Sequence, residues 1–158
     1  MSQTKYKMPE DVRRTVMGYI QGYPRRKMWY QQQREEILHQ GSKRFEEYVM
    51  ADGRGGRVYF PRSGSTGDNT ASRANRLIQL EQHPNVCIMR AIEEAQEDAG
   101  ADIPSEEERR RVRQAVLDSC VLGRNFTFEY SALPLGKTNF YERRRRFIWI
   151  VAKKLRLI

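Results

Sequence analysis

Leu133-Pro134-Leu135-Gly136-Lys137-Thr138-Asn139-Phe140-Tyr141-Glu142-Arg143-Arg144-Arg145-Arg146-Phe147-Ile148-Trp149-Ile150-Val151-Ala152-Lys153-Lys154-Leu155 is the stretch from which the rest of this 158-residue chain is read. A Pro/Gly turn leads into short polar residues, a basic cluster and an apolar block. At about 100° per residue, Phe140, Arg144, Phe147, Ile148, Val151 and Leu155 share one side of a helix. Thr138, Asn139, Glu142, Arg145 and Arg146 lie opposite. One side can enter a core while the other presents polar groups and guanidiniums. A helix in a DNA major groove needs that division, with its N-terminal side chains at base edges and arginines at phosphates. A solvated charged face is the plainer reading of the same pattern.

What precedes this helix sharpens the reading. Gly123 ends one helical pattern, and residues 125–133 suit a short helix capped by Asn125 or Thr127. Pro134-Leu135-Gly136 is then a tight turn before the basic helix. Helix, short Gly-containing turn and second helix make a helix-turn-helix, expected over about 124–158. Leu-Pro-Leu-Gly-Lys-Thr-Asn-Phe-Tyr-Glu-Arg-Arg-Arg-Arg-Phe resembles the C-terminal helix-turn-helix of phage-encoded transcription regulators of the ArpU/RinA type. These are small Gram-positive prophage proteins related in this part to sigma-factor region 4. Phe140-Tyr141 and Arg143 to Arg146 fit the family pattern, whereas Gly136 stands where the family usually has a Ser cap. The resemblance covers about the last third of the chain and implies DNA binding.

Roles follow for individual side chains of the recognition helix, Lys137 to Leu155. Asn139 can pair with adenine, Glu142 can accept from the cytosine amino group, and Thr138 can meet a base edge or a thymine methyl. Lys137, Arg143, Arg145, Arg146 and Lys153 are the expected phosphate contacts, with guanine an alternative for Arg146. The competing reading pairs Glu142 with Arg145 or Arg146 on a solvated surface. Phe147 to Val151 is apolar around the whole helix, so it must be covered on more than one side. Phe147 and Val151 are expected in the core. Trp149 and Ile150 are expected against the N-terminal helices or a second subunit.

The net charge of +9 is unevenly spread. Residues 1–50 hold ten Lys/Arg against six Asp/Glu, residues 51–122 ten against twelve, and residues 123–158 nine against two, which puts the basic excess on the last helix. No run approaches the roughly 20 apolar residues of a membrane span, and Met1-Ser2-Gln3-Thr4-Lys5 lacks a signal-peptide core. A cytoplasmic protein without membrane contact is expected. Cys87 and Cys120 are widely separated and read as small buried hydrophobes.

Along the chain, Pro9-Glu10-Asp11 opens a helix whose stripe runs Val12, Val16, Ile20 and Tyr23, continuing to Tyr30 and Ile37. Pro24 makes this either one kinked helix to about His39 or two helices meeting near Gly22, within an N-terminal helical region 1–50. Residues 51–70 hold five of the eleven glycines and read as a flexible loop, without the Gly-Lys-Ser/Thr of a phosphate loop. The remaining helical domain, 71–158, starts with a helix capped by Asn69 or Thr70 and carrying Ala74, Leu77 and Ile78, broken at His83-Pro84-Asn85. Val86, Met89, Ile92, Ala95 and Ala99 form the next stripe. Ser105 with Glu108 is a capping box, opening a helix with Val112, Ala115, Val116, Ser119 and Leu122 inward. The fold class is all-α: an N-terminal helical part and a C-terminal helix-turn-helix.

His39 and His83 stand alone and no nucleophile, base or metal set converges, so neither an enzyme nor a cofactor is expected. The leading expectation is a sequence-specific duplex-DNA-binding transcription regulator of prophage type, with RNA polymerase as a further partner. A homodimer through the N-terminal helices or Trp149 and Ile150 fits the same pattern. The alternatives are a small-terminase-like DNA-packaging adaptor, which should form rings, and a helical protein-interaction module.

Overall fold

The computed structural model describes residues 5–39, 45–49, 53–59, 66–129 and 131–158. In chain order these form α1 (Glu10–Gln21), α2 (Tyr23–His39), β1 (Phe45–Val49), β2 (Gly55–Tyr59), α3 (Thr66–Glu81), α4 (Pro84–Ala99), α5 (Glu106–Leu122) and α6 (Lys137–Lys154). The fold is all-α, with one small hairpin as its only described β-structure. The chain divides into two compact units, Met1–Lys27 with Pro84–Ile158, and Met28–His83.

The first unit is built from α1, α4, α5 and α6, and α6 packs against each of the other three. Val16 and Ile20 of α1, Val86, Met89, Ile92 and Ala95 of α4, Val112 and Val116 of α5, and Phe140, Phe147 and Val151 of α6 are buried together. Each of these side chains larger than Ala95 contributes about 1.5–3 kcal/mol on leaving water. The stripe expected for α4, at every third or fourth residue, is therefore the real one, with Ala99 also buried. The Ser105 hydroxyl accepts a hydrogen bond from the Glu108 amide at 3.5 Å, as the capping box requires. Cys120 is buried but Cys87 is exposed, because it lies beside the α4 stripe rather than on it. Leu122 departs likewise: expected inward, it is 50 % exposed at the end of α5.

Of the two arrangements open for the N-terminal region, the second is found: α1 and α2 meet at Gly22. Pro24 sits in the first turn of α2, where its missing N–H leaves no helical bond unmade. The Tyr23 hydroxyl donates to Glu93 at 2.9 Å. Burial first, and then that carboxylate, raises the phenol well above its ordinary pKa.

In the second unit, β1 and β2 pair antiparallel from Phe45 opposite Tyr59 to Val49 opposite Gly55. The N-terminal region is thus not helical to residue 50, and the glycine-rich run expected to be a loop contains a strand. Pairing gives the Gly-Gly backbone a partner that composition could not reveal. Gly53, at φ 82°, lies between the strands, a conformation that suits glycine. α3 begins at Thr66, before the expected cap, and its Ile78 is 56 % exposed. Residues 60–65 of the expected loop lie outside the described residues. The Trp29 and His83 rings meet at 4.7 Å, and the Tyr30 hydroxyl donates to the Glu81 carboxylate.

The main departure concerns the expected short helix over 125–133. Gly123–Asn125 is a single 3₁₀ turn, and Phe126 is extended at φ −79°, ψ 131°. Phe126 and Phe128 both pack on Phe140, at 5.6 and 5.2 Å between ring centres. Residues two apart share a face only in extended chain; a helix would turn one of the two rings away. Gly123 ends α5 at φ 56°, in the left-handed region. Residues 126–129 are therefore an extended aromatic strap, and among the described residues the first helix of the expected helix-turn-helix does not form.

Candidate nucleic-acid interface

Gly136 caps the start of α6: its carbonyl accepts from the Phe140 amide at 3.0 Å, and it offers no side-chain cap. Its inward face is Phe140, Phe147, Ile148, Val151 and Ala152, all buried. Of the side chains expected to be core, Arg144 and Leu155 are half-buried. On the outward side Lys137, Thr138, Asn139, Glu142, Arg145, Arg146 and Lys153 are exposed. The division of the helix into a core side and a polar side is thus as its 3.6-residue period implies.

The four consecutive arginines do different things. Arg143 turns toward α4: its Nη1 and Nη2 donate to the two Asp102 carboxylate oxygens at 2.6 and 2.7 Å. Nη1 also donates to the Ala99 carbonyl at 2.8 Å, and Nε to Asn139 Oδ1 at 2.8 Å. Only 18 % of its side chain remains exposed. These bonds hold the Asp102 carboxyl at about 2, and the same pairing raises the Arg143 guanidinium. Arg146 reaches Asp98 at 2.9 Å, and Lys154 reaches Glu94 at 2.7 Å. Glu94, Asp98 and Asp102 recur every four residues and meet Lys154, Arg146 and Arg143 in reverse order, as antiparallel helices require.

Arg143 therefore acts as a structural clamp rather than as an outward phosphate contact, and Arg146 is engaged in part by Asp98. A carboxylate outcompetes solvent for a guanidinium already held in a fixed fork. Glu142, weighed against a pairing with Arg145 or Arg146, has neither as an ion-pair partner among the described residues, since Arg146 turns to Asp98. Lys153 lies 4.1 Å from the Trp149 ring centre, and Tyr6 meets the same ring edge-on at 5.6 Å. Lys5 in turn lies 5.6 Å from the Tyr6 ring. Trp149 is thus covered by the segment leading into α1, while Ile150 stays half-buried.

Tyr6 separates two clefts on α6. One, of about 340 Å³, is lined by Lys5, Arg143 and Arg146 together with Asp98, Asp102 and Glu142. The other, of about 380 Å³, is lined by Lys7, Arg13, Arg144 and Arg145, with Glu10 the one carboxylate among the described residues of its lining. The periodicity of α6 placed Arg144 on its core side, and nothing local connected Lys7 or Arg13 with it. The acidic rung spacing of Glu94, Asp98 and Asp102 was visible in the sequence and is the signal that would have marked Arg143 and Arg146 as partnered. Burial raises the Cys120 thiol, opposed by Arg144, Ser119 and Arg13, so Arg13 and Arg144 converge on one region. Among the described residues no three His, Cys, Asp or Glu side chains are grouped to hold a metal, and no helix is long and apolar enough to cross a membrane. Comparison with protein-family models, with curated proteins and with solved structures gives no match.

Proposed function

We propose that this chain binds duplex DNA through the outward side of α6, as a sequence-specific regulator rather than a catalyst. The observation that carries the reading is the exposure of Lys137, Thr138, Asn139 and Glu142 over the first turns of a helix whose opposite side is locked by Phe140, Phe147 and Val151. A rigid helix with a polar, accessible N-terminal half is the shape that enters a major groove. The reading does not need the short helix expected before α6, since α4, α5 and the aromatic strap hold α6 in its place. The phosphate contacts fall to Lys137, Arg145 and Lys153 on the outward side and to half-buried Arg144, which lines a cleft with Arg145, in place of the clamped Arg143 and the part-engaged Arg146.

Salt dependence tests it. With about four phosphates neutralised, log affinity for a duplex is expected to fall against log salt with a slope of roughly −3 to −4. No duplex binding at low salt, or a flat response, refutes the reading. Selection from random duplex then tells a regulator from a non-specific binder: one enriched motif is expected.

A further inference from the structure

We propose that the cleft formed by Lys7, Arg13, Arg144 and Arg145 is a phosphate-binding site, filled by a backbone phosphate of the bound duplex. It deepens the α6 reading and, for the source of the phosphate, rests on it.

The argument begins with the two clefts that flank Tyr6. The first holds three cations and three carboxylates, and two of its arginines are already paired with Asp98 and Asp102. It has no net positive charge to offer an anion. The second holds four cations and one carboxylate. That carboxylate, Glu10, pairs outward with Arg14 at 3.3 Å. Like charges brought together cost energy in the absence of a counter-ion, and a backbone phosphodiester supplies one negative charge and two non-bridging acceptor oxygens. Guanidiniums match its geometry in forks, and the Tyr141 hydroxyl on the same lining adds a neutral donor.

Position supports the same occupant. Arg144 and Arg145 belong to α6, two and three residues beyond Glu142, whereas Lys7 and Arg13 come from the opposite end of the chain. The Tyr6 ring against Trp149 fixes the segment that carries Lys7. Pro9 then opens α1 and sets Arg13 within its first turns. The four cations are thus assembled by tertiary packing, on the flank of the helix whose first turns face outward. A groove-bound helix passes between two phosphate backbones, so cations flanking it lie where one backbone runs.

The test uses the full chain with Lys7→Gln and Arg13→Gln combined, both exposed positions, against Arg110→Gln with Arg111→Gln on α5 as a control of equal charge loss. Lys7→Glu alone, outside any helix, is a second variant that leaves every helix untouched. Duplex affinity across salt is measured for each, and inorganic pyrophosphate is titrated into the same proteins with Trp149 fluorescence or amide shifts as readout. The cleft variants are expected to lose several-fold in affinity at low salt and about one unit of salt slope, with the α5 control unchanged. If the wild type binds duplex and the cleft and control variants behave alike, the cleft is not a phosphate site, while the α6 reading stands. If the wild type ignores duplex but binds pyrophosphate, and the cleft variants lose that binding, the site holds a free phosphorylated ligand and the α6 reading fails instead. Binding of neither overturns both.

Discussion

Asp102→Asn removes the charge that Arg143 is turned toward and leaves a carbonyl oxygen in its place. In the folded chain the two Asp102 oxygens receive Arg143 at 2.6 and 2.7 Å. The arginine side chain is 18 % exposed and the carboxylate 66 %. The Arg143 hydrogen bonds hold the Asp102 carboxyl at about 2, below the ordinary 3.8. Because the carboxylate is largely wet, solvent screens the pair, and the stabilisation is about 1 kcal/mol rather than the full worth of the shift. Its sign is set by the direction: the folded pKa lies below the unfolded one. The contribution is complete above roughly pH 5, declines as the pH falls from there toward the folded pKa, and is mostly lost by about pH 2. Urea unfolding of wild type and Asp102→Asn from pH 7 to pH 2 at low salt measures it. The curves are expected about 1 kcal/mol apart at pH 7 and nearly together at pH 2. A gap that persists at pH 2, or no gap at pH 7, refutes the ion pair as its source. Arg143→Met keeps the aliphatic stem but also abandons the Ala99 carbonyl and Asn139, so it is expected to cost more, about 1.5–3 kcal/mol. A destabilisation no larger than that of Asp102→Asn shows that those two contacts add nothing.

Phe140→Ala empties a fully buried site and is expected to cost about 3–5 kcal/mol and to release the Phe126–Phe128 strap. Unchanged amide exchange over 126–129 contradicts this account of the strap. Gly123→Ala forces a side chain into the left-handed region and is expected to destabilise by about 1–2 kcal/mol, read as a lower melting temperature with α5 intact. Asn139→Ala and Glu142→Ala are expected each to flatten one position of a selected DNA motif at about 1–3 kcal/mol. An unchanged motif in both removes α6 as the reader of sequence.

The features legible in the sequence are those decided within a turn or two of chain. The α4 stripe Val86, Met89, Ile92, Ala95 and Ala99 is buried as its period implies, Ser105 caps α5, and the break at His83-Pro84 is real. Each depends on neighbours three or four residues away, which a linear reading sees directly. The fate of residues 126–129 did not: their composition suits a helix start, but two rings at alternate positions settle on Phe140, about a dozen residues ahead, and only extended chain allows both. The hairpin of Phe45–Val49 with Gly55–Tyr59 was hidden for a related reason, since glycines carry no side-chain pattern and gain their order from the partner strand.

The candidate site divides the same way. That α6 has a core side and a polar side is a matter of helical period. Which of its arginines meets an acid is not, because Arg143, Arg144, Arg145 and Arg146 are chemically identical. Asp98 and Asp102 reach two of them only because α4, some 40 residues earlier, packs antiparallel to α6. Lys7 and Arg13 join the other two only because α1 packs on α6 as well. Charge in a sequence is a count; whether a charge is cancelled or left facing an anion is decided within a few ångströms, by packing between elements far apart in the chain.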